Sequence, residues 1–240
     1  MSGHSKWATT KRAKAVVDAK RGAIFTKIAK LITIAARAGG EPVSNFSLRM
    51  AIDKAKAVNM PKDNIERAIK RGTGEGGEAQ IEELTYEGMG PAKAQFIVKA
   101  LSDNKNRTAA EIRHLFAEAG GSLGAVMWNF ESKAVIRVEH EELKNKNLSH
   151  DENFELELID AGAQDIIKEE EGMTIYAKPE DLRNLKNLLE GRNIATASAG
   201  IEYIAKDQLE LSGEDKEKIQ AFINQLEDNE DVSEYYTNVA

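Results

Sequence analysis

Gly72-Thr73-Gly74-Glu75-Gly76-Gly77 is where the chain changes character. Four glycines in six residues read as a flexible linker. Before it, apolar residues recur every three or four positions. After it, short alternating runs are interleaved with helical patterns. Gly72, Gly74 and Gly77 formally match G-x-G-x-x-G, but a dinucleotide site needs that turn between a strand and a helix. Here a helix precedes it and a strand follows.

On the N-terminal side, Ile24, Phe25, Ile28, Leu31, Ile32 and Ala35 share one helical face, with Lys27, Lys30 and Arg37 clustered on another. Gly39-Gly40 ends that helix. A second helix is predicted over 48–57, with Leu48, Ile52 and Ala55 inward. A third starts at Pro61, a good first helical position, and stops before Gly72; its stripe is Ile65, Ala68 and Ile69.

On the other side, 81–87 and 95–100 read as strands. Residues 108–118 read as a helix opened by a Thr108/Glu111 capping box. Two further strands are predicted over 126–130 and 135–139, and then the pattern restarts. A helix over 153–160, strands over 165–168 and 174–177, a helix over 179–189 and a strand over 201–204 follow. A helix over 214–226 and a strand over 234–238 close the chain. The expected fold class is α+β in three domains. A basic helical domain covers 1–75, an α+β domain is assembled from 80–138 plus 207–240, and an acidic α+β domain over 139–206 is inserted into it.

Charge follows the same division. Residues 1–74 carry 16 Lys and Arg against 5 Asp and Glu, a balance of +11. The other 166 residues carry 17 against 35, a balance of −18, which returns the overall −7. Such asymmetry within one chain suggests a polyanion-binding end. Lys6, Lys11, Arg12, Lys14, Lys20 and Arg21 fall within sixteen residues, opposed by Asp18 alone. A cation that meets a phosphate releases a condensed counterion, so clusters of this kind bind DNA or RNA. Trp7 beside Lys6 can stack on a base, or equally serve as a core anchor. Lys27 and Lys30 extend the set along the first helix. Lys62, Arg67, Lys70 and Arg71 add to it on the third, partly offset by Asp63 and Glu66. The acidic runs 169–171 and 227–231 read as solvated turns.

Other function classes lack their marks. With no cysteine there is neither disulfide nor thiolate metal site. The four histidines show no i,i+4 pair and no H-E-x-x-H frame. No phosphate-binding G-x-x-x-x-G-K-[ST] occurs. The apolar stretch 24–36 is too short for a membrane helix of about 20 residues and contains Lys27 and Lys30. The expectation is a cytoplasmic, non-enzymatic protein with no cofactor, no metal, no membrane association and no small-molecule substrate.

Gly3-His4-Ser5-Lys6-Trp7 resembles the opening of the YebC/PmpR family, and Asn59-Met60-Pro61-Lys62-Asp63-Asn64-Ile65-Glu66-Arg67-Ala68-Ile69 resembles its internal signature. Tyr86-Glu87-Gly88 with Gly90-Pro91, Asp103-Asn104 with Asn106-Arg107-Thr108, and Gly120-Gly121 with Leu123-Gly124 are similar to it too. So are Asp231-Val232 and Tyr236-Thr237-Asn238. The resemblance implies a helical domain followed by two α+β domains, the third inserted in the second. It implies DNA-binding transcriptional control or a ribosome-associated role in easing stalled translation, since the family includes a mitochondrial translational activator. It implies no enzyme activity. The chain departs from the family pattern where Ala92-Lys93 replace Gly-Gly after Gly-Pro. It departs again at Glu41-Pro42 and Phe46, and where the segment after Leu123-Gly124 is shorter.

Two mechanisms follow. The basic helices contact duplex DNA, or the same surface holds ribosomal RNA on the ribosome. A plain protein-binding adaptor using the acidic domains is a third class.

Overall fold

The apolar stripe around Ile28 folds as helix α1 (Arg21–Ala36), in a computed structural model that describes residues 21–75, 81–148 and 151–240. It is followed by α2 (Phe46–Ala57) and α3 (Lys62–Gly72). The three helices bury Ile28, Ile32, Ala36, Leu48, Ile52, Ala55, Met60, Ile65 and Ala68 against one another. Asn45 fixes the corner between α1 and α2. Its Oδ1 accepts the Leu48 N–H at 3.1 Å, capping α2, while Nδ2 donates to Ala35 O and Gly39 O at 2.7 Å each. Helix α3 includes Gly72 rather than stopping before it, because the missing Cβ lets its backbone lie on α1. A Cβ there would meet Thr33 O at 2.3 Å and Ala36 Cβ at 2.6 Å.

The remaining elements, in chain order, are β1 (Glu82–Met89), β2 (Gln95–Ser102), α4 (Lys105–Glu118), β3 (Ser122–Leu123), β4 (Phe130–Glu139) and α5 (His140–Asn145). Then come α6 (Glu152–Asp160), β5 (Ala163–Glu169), β6 (Gly172–Ala177), α7 (Leu182–Gly191), β7 (Ser198–Ala205), α8 (Gly213–Asp228) and β8 (Val232–Thr237). They form two compact units. One runs to Asn129 and resumes at Ala205; the other is Phe130–Ile204. The α+β class expected from the sequence is the class observed.

The first unit contains α1–α3 and a four-stranded antiparallel sheet in the order β3-β1-β2-β8. Helices α4 and α8 cover it through Phe96, Phe116 and Phe222, whose rings meet edge to face with centroids 5.0 to 6.4 Å apart. Gly88 leaves room for that trio, since a Cβ would stand 2.6 Å from the Phe116 ring.

The second unit is a sheet in the order β5-β6-β4-β7 with α5, α6 and α7. Alternate residues of the paired central strands, Ala134, Ile136 and Val138 with Met173, Ile175 and Ala177, are fully buried, as are Phe154, Leu158, Leu185 and Leu189. On the other face of β4, Arg137 forms a buried bidentate pair with Glu202 at 2.7 and 3.1 Å.

Two readings change here. The strands expected over 126–130 and 135–139 are one strand, β4, preceded by a 3-10 turn at Met127–Asn129. The cause is Glu87, whose Oε2 accepts the Val126 and Met127 N–H groups at 2.8 and 2.7 Å and so caps the turn. Because β4 pairs with β6, residues 130–138 share a sheet with 163–177. The six-residue α5 is not visible in the apolar pattern.

Candidate nucleic-acid interface

Lys6, Trp7, Lys11, Arg12, Lys14 and Lys20 lie outside the described residues. The described basic residues separate into two groups. Arg21 is exposed at the start of α1, and Lys62, Arg67, Lys70 and Arg71 are exposed on α3. At 100° per residue those four spread over the half of α3 opposite buried Ile65 and Ala68. Asp63 and Glu66 share that half. Lys62 reaches Glu66 at 3.3 Å, and Arg67 donates to Asn64 Oδ1 on its own helix. Exposed pairs of this type are worth about 0–1 kcal/mol, so a phosphate competes with them readily. Helices α2 and α3 are joined by the four residues 58–61, with Asn59 in the left-handed region at φ 55°. Such a short turn presents α3 as the second of a closely linked helix pair.

Lys27 and Lys30 behave differently. Both are engaged by the protein's own C-terminal segment. Lys27 Nζ donates to Glu227 O at 2.6 Å, in the last turn of α8, where unsatisfied carbonyls make the helix end negative. Lys30 Nζ donates to Asp231 Oδ1 at 2.7 Å and to Glu230 O at 3.2 Å. Lys54 on α2 pairs with Glu234 at 2.9 Å. The run 227–231 is thus only partly a solvated turn: Glu227, Asp228 and Glu230 are exposed, while backbone carbonyls of the run and the buried Asp231 carboxylate are fastened to α1.

Asp231 is the centre of this contact. It is 5% exposed. Its carboxylate also accepts from Arg107 Nη2 at 2.9 Å, Thr108 Oγ1 at 2.7 Å and Ser102 Oγ at 3.1 Å. Burial alone would raise its pKa. Hydrogen bonds from Lys30, Arg107 and Thr108 outweigh burial and hold the carboxyl well below the ordinary carboxylate range. Arg107 is in turn shifted upward, chiefly by its hydrogen bond to Asp231. Neither the charge pattern nor the helical periodicity singles out Asp231. The one signal for it was the Asp231-Val232 motif.

Among the described residues, no group of three or more His, Asp and Glu side chains is placed to hold a metal ion. No helix among them is long and apolar enough to cross a membrane.

Comparison with known proteins matches the chain in two parts, whereas its compact units part at Asn129 and Ala205. The family described as TACO1/YebC protein N-terminal domain matches residues 5–75, and that described as TACO1/YebC second and third domain matches 81–239. A "probable transcriptional regulatory protein" of Thermoanaerobacter pseudethanolicus is 47% identical over 243 residues, covering 100% of this chain and 97% of its own length. A protein of the same name from Kosmotoga olearia is also 47% identical, covering 99% of this chain and 94% of its own. The crystal structure of a conserved hypothetical protein from Aquifex aeolicus superposes with a TM-score of 0.80 at 39% identity, covering 93% of this chain and 92% of that one.

Proposed function

Since the chain belongs to the TACO1/YebC family, we propose that it is a non-enzymatic regulator of gene expression that binds DNA through its basic N-terminal helices. The observation that carries this reading is the surplus of 16 Lys and Arg over 5 acids in residues 1–74. Of that set, Lys27, Lys30 and Lys54 are engaged by the protein's own C-terminal segment. The reading therefore rests on Lys6, Trp7, Lys11, Arg12, Lys14, Lys20 and Arg21, with Lys62, Arg67, Lys70 and Arg71 on the exposed half of α3. The relatives named as transcriptional regulatory proteins support the same role.

The test is the salt dependence of duplex binding. The log–log slope should be about −0.9 per phosphate neutralised. Replacing Lys11, Arg12 and Lys14 with alanine should make the slope shallower by about 2.7. Unchanged affinity and slope in that variant would refute DNA binding by this surface.

The second reading is a ribosome-associated translation factor that holds ribosomal RNA through the same cations. The exposed Trp128 in the first unit favours it, since an aromatic face beside cations suits the unpaired bases of a folded RNA. Sedimentation with ribosomes at low salt is the expected result, and absence from ribosomal fractions removes it.

A further inference from the structure

We infer that Trp128 is a stacking platform for an unpaired nucleobase, with Lys206 and Lys93 placed to meet the flanking phosphates. This rests on the nucleic-acid reading above and adds a second, single-strand site outside the basic helices.

Tryptophan is highly buried on average. Trp128 is 64% exposed, although its neighbours Val126 and Asn129 are each 2% exposed. The exposure does not come from a slack loop. Glu87 caps the turn that carries Trp128 through the Val126 and Met127 amides. Asn129 locks its far end. Its Nδ2 donates to Gln95 Oε1 at 2.6 Å and Asp207 O at 3.1 Å, its Oδ1 accepts the Asp207 N–H at 2.9 Å, and its carbonyl accepts the Lys206 N–H at 2.7 Å. The indole is therefore held out on a turn fixed from three separate segments. Such a ring loses little entropy on contact, having two side-chain torsions.

The charges beside it are of the sign a nucleic acid needs. Lys206 Nζ donates to Trp128 O at 3.1 Å, which keeps an exposed ammonium beside the indole. Gln95, which bonds Asn129, opens β2 immediately after the β1–β2 hairpin tip, so that tip lies at the same end of the sheet. Lys93 is exposed on the tip, where Ala92 and Lys93 both occupy the left-handed region at φ 52° and 62°. Two consecutive non-glycine residues there are strained, and strain of this kind marks ligand clamps and functional loops. Of the acids near this turn, Glu87 is spent on the Val126 and Met127 amides and Glu131 pairs with Lys133, while Asp207 is exposed beside Lys206. Residues 75–240 carry twice as many acids as bases, so two lysines around one exposed indole run against the local charge. A π-face with adjacent cations fits an unpaired base and its phosphates, of RNA or of single-stranded DNA.

Trp7 and Trp128 are the two tryptophans of the chain, so Trp7→Phe leaves Trp128 as the sole indole. The full-length Trp7→Phe protein is titrated with a mixed-sequence oligoribonucleotide, its deoxyribonucleotide counterpart and an abasic strand of equal length. Binding of the base-bearing strands should quench Trp128 fluorescence. Trp128→Ala should weaken them roughly 5- to 100-fold, the range for loss of one stacked base. Trp128→Phe should retain most of the affinity. The abasic strand should bind parent and Trp128→Ala alike. Lys206→Ala should reduce the salt slope by about 0.7. Equal binding of both sugars makes base and phosphate the ligand, and tighter RNA binding makes it RNA; both support the site. Strand binding with unchanged fluorescence and an unaffected Trp128→Ala protein overturns this site and leaves the basic-helix reading standing. Failure of the unsubstituted protein to bind any strand, duplex included, overturns both.

Discussion

Replacing Asp231 by asparagine isolates the contact that joins α1 to the sheet of the first unit. The carboxylate accepts four hydrogen bonds, from Lys30, Arg107, Thr108 and Ser102, at 2.7 to 3.1 Å. An amide of the same shape has a single acceptor oxygen, and its NH2 must face donors. Removing one partner of a buried charged network costs about 3–5 kcal/mol. Thr108 is fully buried and cannot turn to water, but its hydroxyl still reaches Asn104 O at 3.1 Å. The Arg107 side chain is 48% exposed and the Lys30 side chain 18%, so both rehydrate in part. The expected loss therefore lies at the lower end, about 3 kcal/mol. With a urea m-value of about 2 kcal/mol/M, the midpoint should fall by roughly 1.5 M. Trp128 fluorescence in the Trp7→Phe background is the signal, since Trp128 lies in the unit being perturbed.

The same variant carries a pH signature. The Asp231 pKa is depressed from its ordinary value of 3.8 in the folded protein. Between the depressed value and 3.8 the unfolded chain binds the proton and the folded one does not. The stability it contributes is thus complete above the ordinary value and lost as pH falls toward the folded one. The gap between parent and Asp231→Asn should be flat from about pH 8 to 5 and close below about pH 4. A gap under about 1 kcal/mol at pH 7 would refute the reasoning, because that is the scale of a surface pair. A gap as large at pH 3 as at pH 7 would refute it too.

Two further outcomes follow from packing. Gly72→Ala drives a methyl into Thr33 O and Ala36 Cβ and should cost about 1–3 kcal/mol as overpacking. Gly22→Ala, where nothing lies within 4 Å, should not destabilise; equal melting of the two variants would contradict the α1–α3 contact. In the second unit, Arg137→Met leaves Glu202 buried without its bidentate partner and should cost about 3–5 kcal/mol. The Arg137→Met/Glu202→Leu double variant should recover most of that loss, and thermal unfolding by circular dichroism reads both.

Helices α1–α3 were legible because each buries one stripe, and a stripe is a local property of sequence. The same locality explains the misreadings. A helical wheel places Lys27 and Lys30 on a polar face but does not say what packs there; a segment some 200 residues away does. The strand expected over 126–130 looked sound because Val126 and Phe130 fit an alternating pattern. Its first part became a turn through Glu87, forty residues earlier. In the acidic run 227–231 the solvated reading holds for Glu227, Asp228 and Glu230 and fails for Asp231, which partners distant in sequence draw inward. The basic surplus was legible as a number, and only the structure divides it into exposed cations on α3 and cations engaged with the C-terminal segment.

The signature residues, placed on the fold, turn out to be joints. Asn104 caps α4 through the Arg107 N–H, Arg107 and Thr108 hold Asp231, and Asn238 accepts the Gln95 N–H at 2.8 Å. Gly88 and Gly121 sit where a Cβ would strike a ring or a backbone oxygen. Resemblance at these positions therefore speaks for how distant segments are fastened, and the ligand must be argued from exposed charge and exposed aromatic surface instead. Lys30 lies in the basic region and is also bonded to Asp231. By charge it belongs with the phosphate contacts, and by geometry it belongs to the Asp231 joint. Lys30→Met should lower stability by about 1–3 kcal/mol, the scale of a hydrogen bond to a buried charge, while leaving duplex affinity and its salt slope almost unchanged. If its effect falls on nucleic-acid binding with stability intact, the Lys30–Asp231 contact opens in the bound state and Lys30 returns to the phosphate-binding set.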